Sequence, residues 1–131
     1  MSFHTIIILG NLGRDPELRY APNGNPVCTL NVASNKVYTD AAGQKQKETT
    51  WWRVSVWGKQ AESCNTYLKK GSGVLVEGEM KPDKETGNPR VYETNDGGHG
   101  ANYEATAHTV RFLSGGGGEQ QQPISDSDIP F

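Results

Sequence analysis

Thr49–Lys59 reads TTWWRVSVWGK and holds all three tryptophans of the chain, Trp51, Trp52 and Trp57. Its residues alternate in character as side chains alternate across a β-strand. One face takes Trp51, Arg53, Ser55 and Trp57; the other takes Trp52, Val54 and Val56. The second set suits a core. The first does not, because a charged guanidinium seldom sits at the centre of a buried row. A soluble surface, in turn, seldom shows two indoles without a use for them. Flat π-surfaces beside a cation suit a polyanion whose bases can stack, which means single-stranded nucleic acid. The competing reading is an ordinary hydrophobic edge covered by the two indoles, with Arg53 snorkelling over them.

The totals set bounds on that reading. At 131 residues the chain is one domain's worth. Apolar residues make up only 34%, and glycines number 16, a combination that fits a small folded domain plus an unfolded segment. The net charge of −2 excludes a bulk basic footprint, but the charge is unevenly placed. All 13 basic residues fall within 1–113, whereas 114–131 carries Glu119, Asp126 and Asp128 and no base. Binding to a polyanion therefore needs a local basic groove on the body.

Cys28 and Cys64 stand outside any CxxC spacing and read as two reduced, buried thiols of a cytosolic protein. His4, His99 and His108 have no ligand spacing with each other or with the cysteines, so neither a metal site nor a cofactor is expected. The opening MSFHTIIILG is apolar for too few residues to span a bilayer and lacks a basic leader; it reads as a strand.

Taken in order, Thr5–Leu9 is a β-branched strand ending at Gly10. Leu18–Tyr20 extends it past a bulge, and Gly10 and Gly13 permit the bend that lets one strand serve both sides of a barrel. APNGNP (Ala21–Pro26) is a turn. Val27–Ser34 alternates, with Cys28, Leu30 and Val32 inward. Lys36, Tyr38, Lys45 and Lys47 flank a loop at Ala41–Gln44, which predicts a hairpin with an extended tip beside the Trp strand. Lys59–Lys70 switches to helical period, with Ala61, Cys64 and Leu68 on one side and Gly71 as its C-terminal cap. Val74–Val76 is a strand and Met80–Pro89 a mixed-charge arm. Arg90–Tyr92 is extended, Asn95–Gly100 reads as a loop, and Tyr103–Phe112 is the last strand. Three strands, a short helix and two strands is the order of the OB-fold, an all-β five-stranded Greek-key barrel with one helix between strands 3 and 4.

Residues 1–113 form that domain and 114–131 a separate tail. Gly115–Gly118 and Gln120–Gln122 bury too little to offset their ordering entropy. The chain then ends Asp126-Ser127-Asp128-Ile129-Pro130-Phe131, an apolar plug behind carboxylates, which suits docking into a basic-rimmed pocket of another protein.

Four segments carry a resemblance: IIILGNLGRDPELRYAPNG (Ile6–Gly24), TTWWRVSVWGKQAE (Thr49–Glu62), YLKKGSGVLVEGEM (Tyr67–Met80) and the terminal DSDIPF. Together they resemble the bacterial single-stranded DNA-binding protein family, over nearly the whole chain. The resemblance implies an OB-fold protein, a homotetramer, that coats single-stranded DNA in replication, recombination and repair. It implies a cytoplasmic, nucleoid-associated location and no catalysis. It also implies that the tip (Asp126, Asp128, Ile129, Pro130, Phe131) recruits genome-maintenance proteins. Trp51 and Trp57 fall on the family's stacking positions, with Arg53 on an arginine between them, and Arg19 and Lys59 on basic positions.

The chain departs from the family at four places. Val37 falls where members carry a further stacking Trp, with Tyr38 the neighbouring candidate. Lys84–Glu85 falls near another family aromatic, so that stacking in the arm either passes to Tyr92 or is lost. Thr94–Asn102 looks like an insertion. Trp52 stands where many members have His, near the subunit contact. Lys36, Lys45, Lys47, Lys59, Lys81 and Lys84 are the expected phosphate partners beside Arg53. Two other classes remain open in the sequence: an OB protein for structured RNA or oligosaccharide, and a nuclease, against which stands the lack of a carboxylate cluster or nucleophile–base pair.

Overall fold

The computed structural model describes residues 2–113. The Trp stretch belongs to strand β4 (Lys45–Trp57). Its alternation separates core from surface as the sequence requires: Val54 and Val56 are fully buried, while Trp51, Arg53 and Trp57 are exposed. The remaining elements are β1 (Ile6–Leu12), β2 (Glu17–Tyr20), β3 (Pro26–Thr39), α1 (Lys59–Tyr67), β5 (Gly73–Met80), β6 (Val91–Glu93), β7 (His99–Ala101) and β8 (Tyr103–Phe112).

Five strands close into a barrel in the order β1-β5-β8-β4-β3, with β3 returning to β1 through Asn11↔Ala33 and Leu12↔Val32. The β4–β8 pair is parallel; the other barrel pairs are antiparallel. With one helix between the third and fourth barrel strands, this is the OB-fold architecture. Closure forces β1 close to β3 at Gly10. A Cβ there would run into the Ala33 carbonyl and come 2.9 Å from Val32 Cγ1, so only glycine fits.

The interior is filled from every barrel strand, with Ile8, Leu30, Val32, Val54, Val74, Val76 and Ala105 among the buried side chains. Each Val, Leu or Ile sealed in this way contributes about 1.5–3 kcal/mol of transfer free energy. Helix α1 packs mainly on β3 and contributes Ala61 and Cys64 to the core. Burial pushes the Cys28 thiol up to about 11 and the Cys64 thiol up to about 12. Both stay neutral at physiological pH.

The structure changes several boundaries. The helix stops at Tyr67, short of Gly71, because Leu68 turns extended (φ −102°, ψ 152°) to bury its side chain while its N–H still bonds the Cys64 carbonyl. Gly71 (φ 92°) serves the next turn, where its N–H donates to the Leu12 carbonyl. Residues 17–20 form a strand of their own on the free edge of β3, not an extension of β1. Asn95–Gly100 is not a plain loop: β6 and β7 pair as a small hairpin, Tyr92 opposite Gly100, turned at Gly97 (φ 89°). β5 runs on to Met80 through a bulge at Glu77/Gly78. The tail 114–131, with the tip residues Asp126, Asp128, Ile129, Pro130 and Phe131, lies outside the described residues.

Candidate nucleic-acid interface

The site begins with what stands beside β4 on its outer face. The β3 partners of Trp51, Arg53, Ser55 and Trp57 are Ala33, Asn31, Thr29 and Val27. These are short side chains, so the indoles and the guanidinium rise above them. Trp51 is 55% exposed and Trp57 44%. Six residue steps along the strand set Trp51 and Trp57 about 20 Å apart, with Arg53 between them. The Trp51 ring has a fixed floor. A Cβ at Gly13 would lie 2.6 Å from Trp51 Cη2, so the indole rests directly on that glycine. The Gly13 N–H donates to the Asn31 carbonyl at 2.9 Å, which ties the floor to β3.

Register extends the face sideways. Arg19 of β2 pairs with Val27, which pairs with Trp57. Partners in register share a face, so Arg19 stands two strands, about 10 Å, from Trp57. Glu17, through Thr29 and Ser55, is an acidic member of the same face. Gly58 takes a positive φ of 76° and turns the chain from strand into helix, so that exposed Lys59, two residues after Trp57, opens the helix.

Beyond the barrel, β3 and β4 continue as a two-stranded ribbon whose register is unbroken to Thr39↔Lys45. Strand alternation then sorts the ribbon candidates. Lys45, Lys47 and Val37 lie on the Trp51 face. Lys36 and Tyr38 lie on the opposite face, where Lys36 Nζ sits 5.9 Å from the Tyr38 ring centroid. At the tip, Asp40 accepts from the Gln44 and Ala42 amides and from Gln46 Nε2. Those donors, the Gln44 amide first, hold its carboxyl below the usual carboxylate range and fix the turn.

The arm after β5 leaves the barrel next to Arg53. In the parallel pairing Arg53 is in register with Glu104 of β8, and the Lys81 N–H donates to the Glu104 carbonyl at 2.9 Å. Lys81 and Lys84 are exposed. Tyr92 lies flat against Gly100 of its own hairpin, where a Cβ would come 2.7 Å from Tyr92 Cζ and Oη. Trp52, on the inner face, packs against the core and meets Tyr103 at 5.2 Å between ring centroids. Among the described residues, no group of three His, Cys, Asp or Glu side chains has the placement to hold a metal. No helix of the described residues is long and apolar enough to cross a membrane.

Trp51, Arg53, Trp57, Arg19, Lys59, Lys45 and Lys47 are thus brought onto one continuous outer surface, while Lys36 and Tyr38 are turned away from it. Sequence reasoning missed three neighbours. Gly13 has a signal only in the fold, since nothing local marks it as a ring floor. Arg90 and Glu104 form an ion pair at 3.2 Å between Arg90 Nη2 and Glu104 Oε2, and no sequence spacing joins them.

A closed five-stranded barrel with one helix, showing two indoles and a guanidinium on its outer sheet, defines a class by its fold: the OB-fold proteins. Comparison with known proteins narrows it. Residues 3–113 match the model of the single-strand binding protein family, and the chain belongs to that family. Two curated relatives, the single-stranded DNA-binding proteins of Neisseria meningitidis serogroups A and B, are each 37% identical over 115 residues, or 88% of this chain. The chain spans 62% of the length of those relatives. Among solved structures, a deletion mutant of the single-stranded DNA-binding protein from Thermus aquaticus matches with a TM-score of 0.63 at 27% identity, over 85% of this chain and 50% of that one. The Plasmodium falciparum protein, solved in complex with single-stranded DNA, matches in fold with a TM-score of 0.68 at 24% identity, over 86% of this chain and 96% of that one.

Proposed function

We propose that this protein binds single-stranded DNA with little sequence preference and protects it during replication, recombination and repair. One observation carries the reading: Trp51 and Trp57 stand open on the outside of the barrel with Arg53 between them. Bases stack on the indoles, each worth roughly 1–3 kcal/mol by alanine substitution. Phosphates meet Arg53, Arg19, Lys45, Lys47 and Lys59, and the arm residues Lys81, Lys84 and Tyr92 continue the path. Every base offers a π-face, so the platform discriminates weakly. Binding rather than catalysis is the role, as the family suggests.

The finer parts of the reading rest on the family likeness. The chain divides into a barrel, 1–113, and a tail, 114–131, whose tip residues Asp126, Asp128, Ile129, Pro130 and Phe131 recruit partner proteins. Four copies assemble, which multiplies a modest surface into one that DNA can wrap, and the protein works in the bacterial cytoplasm at the nucleoid. Deleting residues 126–131 leaves DNA affinity equal or higher, because negative charge is removed, and abolishes capture of partners in a pull-down.

The deciding experiment is titration of intrinsic tryptophan fluorescence with oligo-dT at several salt concentrations. Quenching is expected, with log K falling against log salt at about −0.7 per phosphate contacted. Duplex DNA competing as well as oligo-dT would overturn the reading.

A further inference from the structure

Arg53, the cation at the centre of the indole row, has a carboxylate for a neighbour. Its register partner on β8 is Glu104, and partners in adjacent strands present their side chains on the same side of the sheet. The Glu104 side chain is only 10% exposed, so its charge is weakly screened by water. A carboxylate of that kind, beside a path meant for phosphates, repels them. The structure supplies a counter-charge from elsewhere in the chain. Arg90, the residue before β6, reaches Glu104 Oε2 with both Nη2 at 3.2 Å and Nε at 3.3 Å. Arg90 is itself half exposed and Arg53 forms no ion pair among the described residues.

Building on the proposed DNA-binding role, we propose that Arg90 is a positioning residue that masks the negative charge of Glu104 and so keeps Arg53 available to phosphate. Without Arg90, Glu104 takes Arg53 as its partner, or faces the phosphates unpaired, and either outcome weakens binding. Arg90 need not touch DNA to act in this way. The β6–β7 hairpin that follows Arg90 is then tied electrostatically to the barrel face at its start.

A double-mutant cycle separates masking from its rivals. Wild type, Arg90→Ala, Glu104→Gln and the double variant are titrated with oligo-dT by tryptophan fluorescence in low and moderate salt, with circular dichroism confirming the fold. Arg90→Ala is expected to weaken binding roughly fivefold or more at low salt, a rim-charge effect that shrinks as salt rises. Glu104→Gln alone is expected to bind as tightly as wild type or tighter. The double variant is expected to return to within about twofold of wild type, since no charge is left to mask. A double variant as weak as Arg90→Ala means that Arg90 contacts phosphate directly, and overturns the proposal. A loss in Glu104→Gln equal to that in Arg90→Ala means that the ion pair only tethers the hairpin, and overturns it too. Should Arg90→Ala not fold, Arg90→Lys, which keeps the positive charge, must bind like wild type, and weak binding in that folded variant sinks the idea. Failure of wild type itself to bind oligo-dT would sink the DNA-binding reading, a result distinct from failure of rescue.

Discussion

Trp51 and Tyr92 each lie on a glycine, but the two glycines hold their rings in different ways. The floor under Trp51 is Gly13, which belongs to another part of the chain and is bonded to the Asn31 carbonyl of β3. That ring is placed by tertiary structure, on the closed barrel. The floor under Tyr92 is Gly100, its own partner across a short hairpin. An aromatic covering a cross-strand glycine is a local device that stabilises a hairpin whether or not anything binds to it. On the proposed reading, the barrel's stacking surface is set by tertiary structure before DNA arrives, whereas the arm's is set only by a local hairpin. Preorganised contacts lose less entropy on binding than contacts that must first be ordered.

The barrel side of this contrast breaks most severely in alkali. The folded thiols of Cys28 and Cys64 stay neutral up to about 11 and about 12, against 9.0 as their ordinary value. Below pH 9 both states keep them protonated and nothing is lost. Above it the unfolded chain ionises them and the folded chain does not, so stability falls by about 1.4 kcal/mol per pH unit for each thiol until the folded values are reached. Guanidinium unfolding from pH 8 to 11 should show that fall, and a Cys28→Val, Cys64→Val variant should show much less of it. Next in size is Trp51→Ala, expected to weaken oligo-dT binding by roughly 1–3 kcal/mol with an unchanged circular dichroism spectrum. Tyr92→Ala should weaken it by less than about 1 kcal/mol in the same titration, because its ring must be ordered on binding. If Tyr92→Ala matched Trp51→Ala, the contrast between the two platforms would collapse. The smallest effect belongs to Gly13→Ala. Its new methyl would push the outer edge of the half-exposed indole off its floor and into solvent, where little packing is lost, so stability should change by under about 1 kcal/mol. Affinity should still fall measurably, since the indole loses its flat seat.

The parts of this molecule legible in the sequence are those governed by short periods. The two faces of β4, the inward row Cys28, Leu30 and Val32, and the Ala61–Cys64 side of α1 follow from alternation and helical spacing, and the fold places them accordingly. The helix end is not legible in the sequence because burial of Leu68 mimics one more helical turn, although its backbone is extended. The β6–β7 hairpin was hidden by its glycine-rich turn, and its marker, an aromatic opposite a glycine, shows only once the register is known. Proximity in sequence puts Lys36 and Tyr38 beside the Trp strand. Unbroken alternation along β3, pairing them with Glu48 and Gln46, turns them to the far face. The ion pair Arg90–Glu104 and the Gly13 floor arise from closure of the chain upon itself, which no local pattern encodes.

The ribbon's alternation also restricts the route of any strand laid on this surface. A ligand seated on Trp51 and running outward along Lys47 and Lys45 cannot meet the Tyr38 ring by continuing straight. To reach both it must turn around the ribbon's edge, and only a polymer free of a complementary strand bends that sharply within a few nucleotides. Under the proposed function, a preference for unpaired DNA would then come partly from the curvature demanded by the protein, in addition to stacking on the indoles.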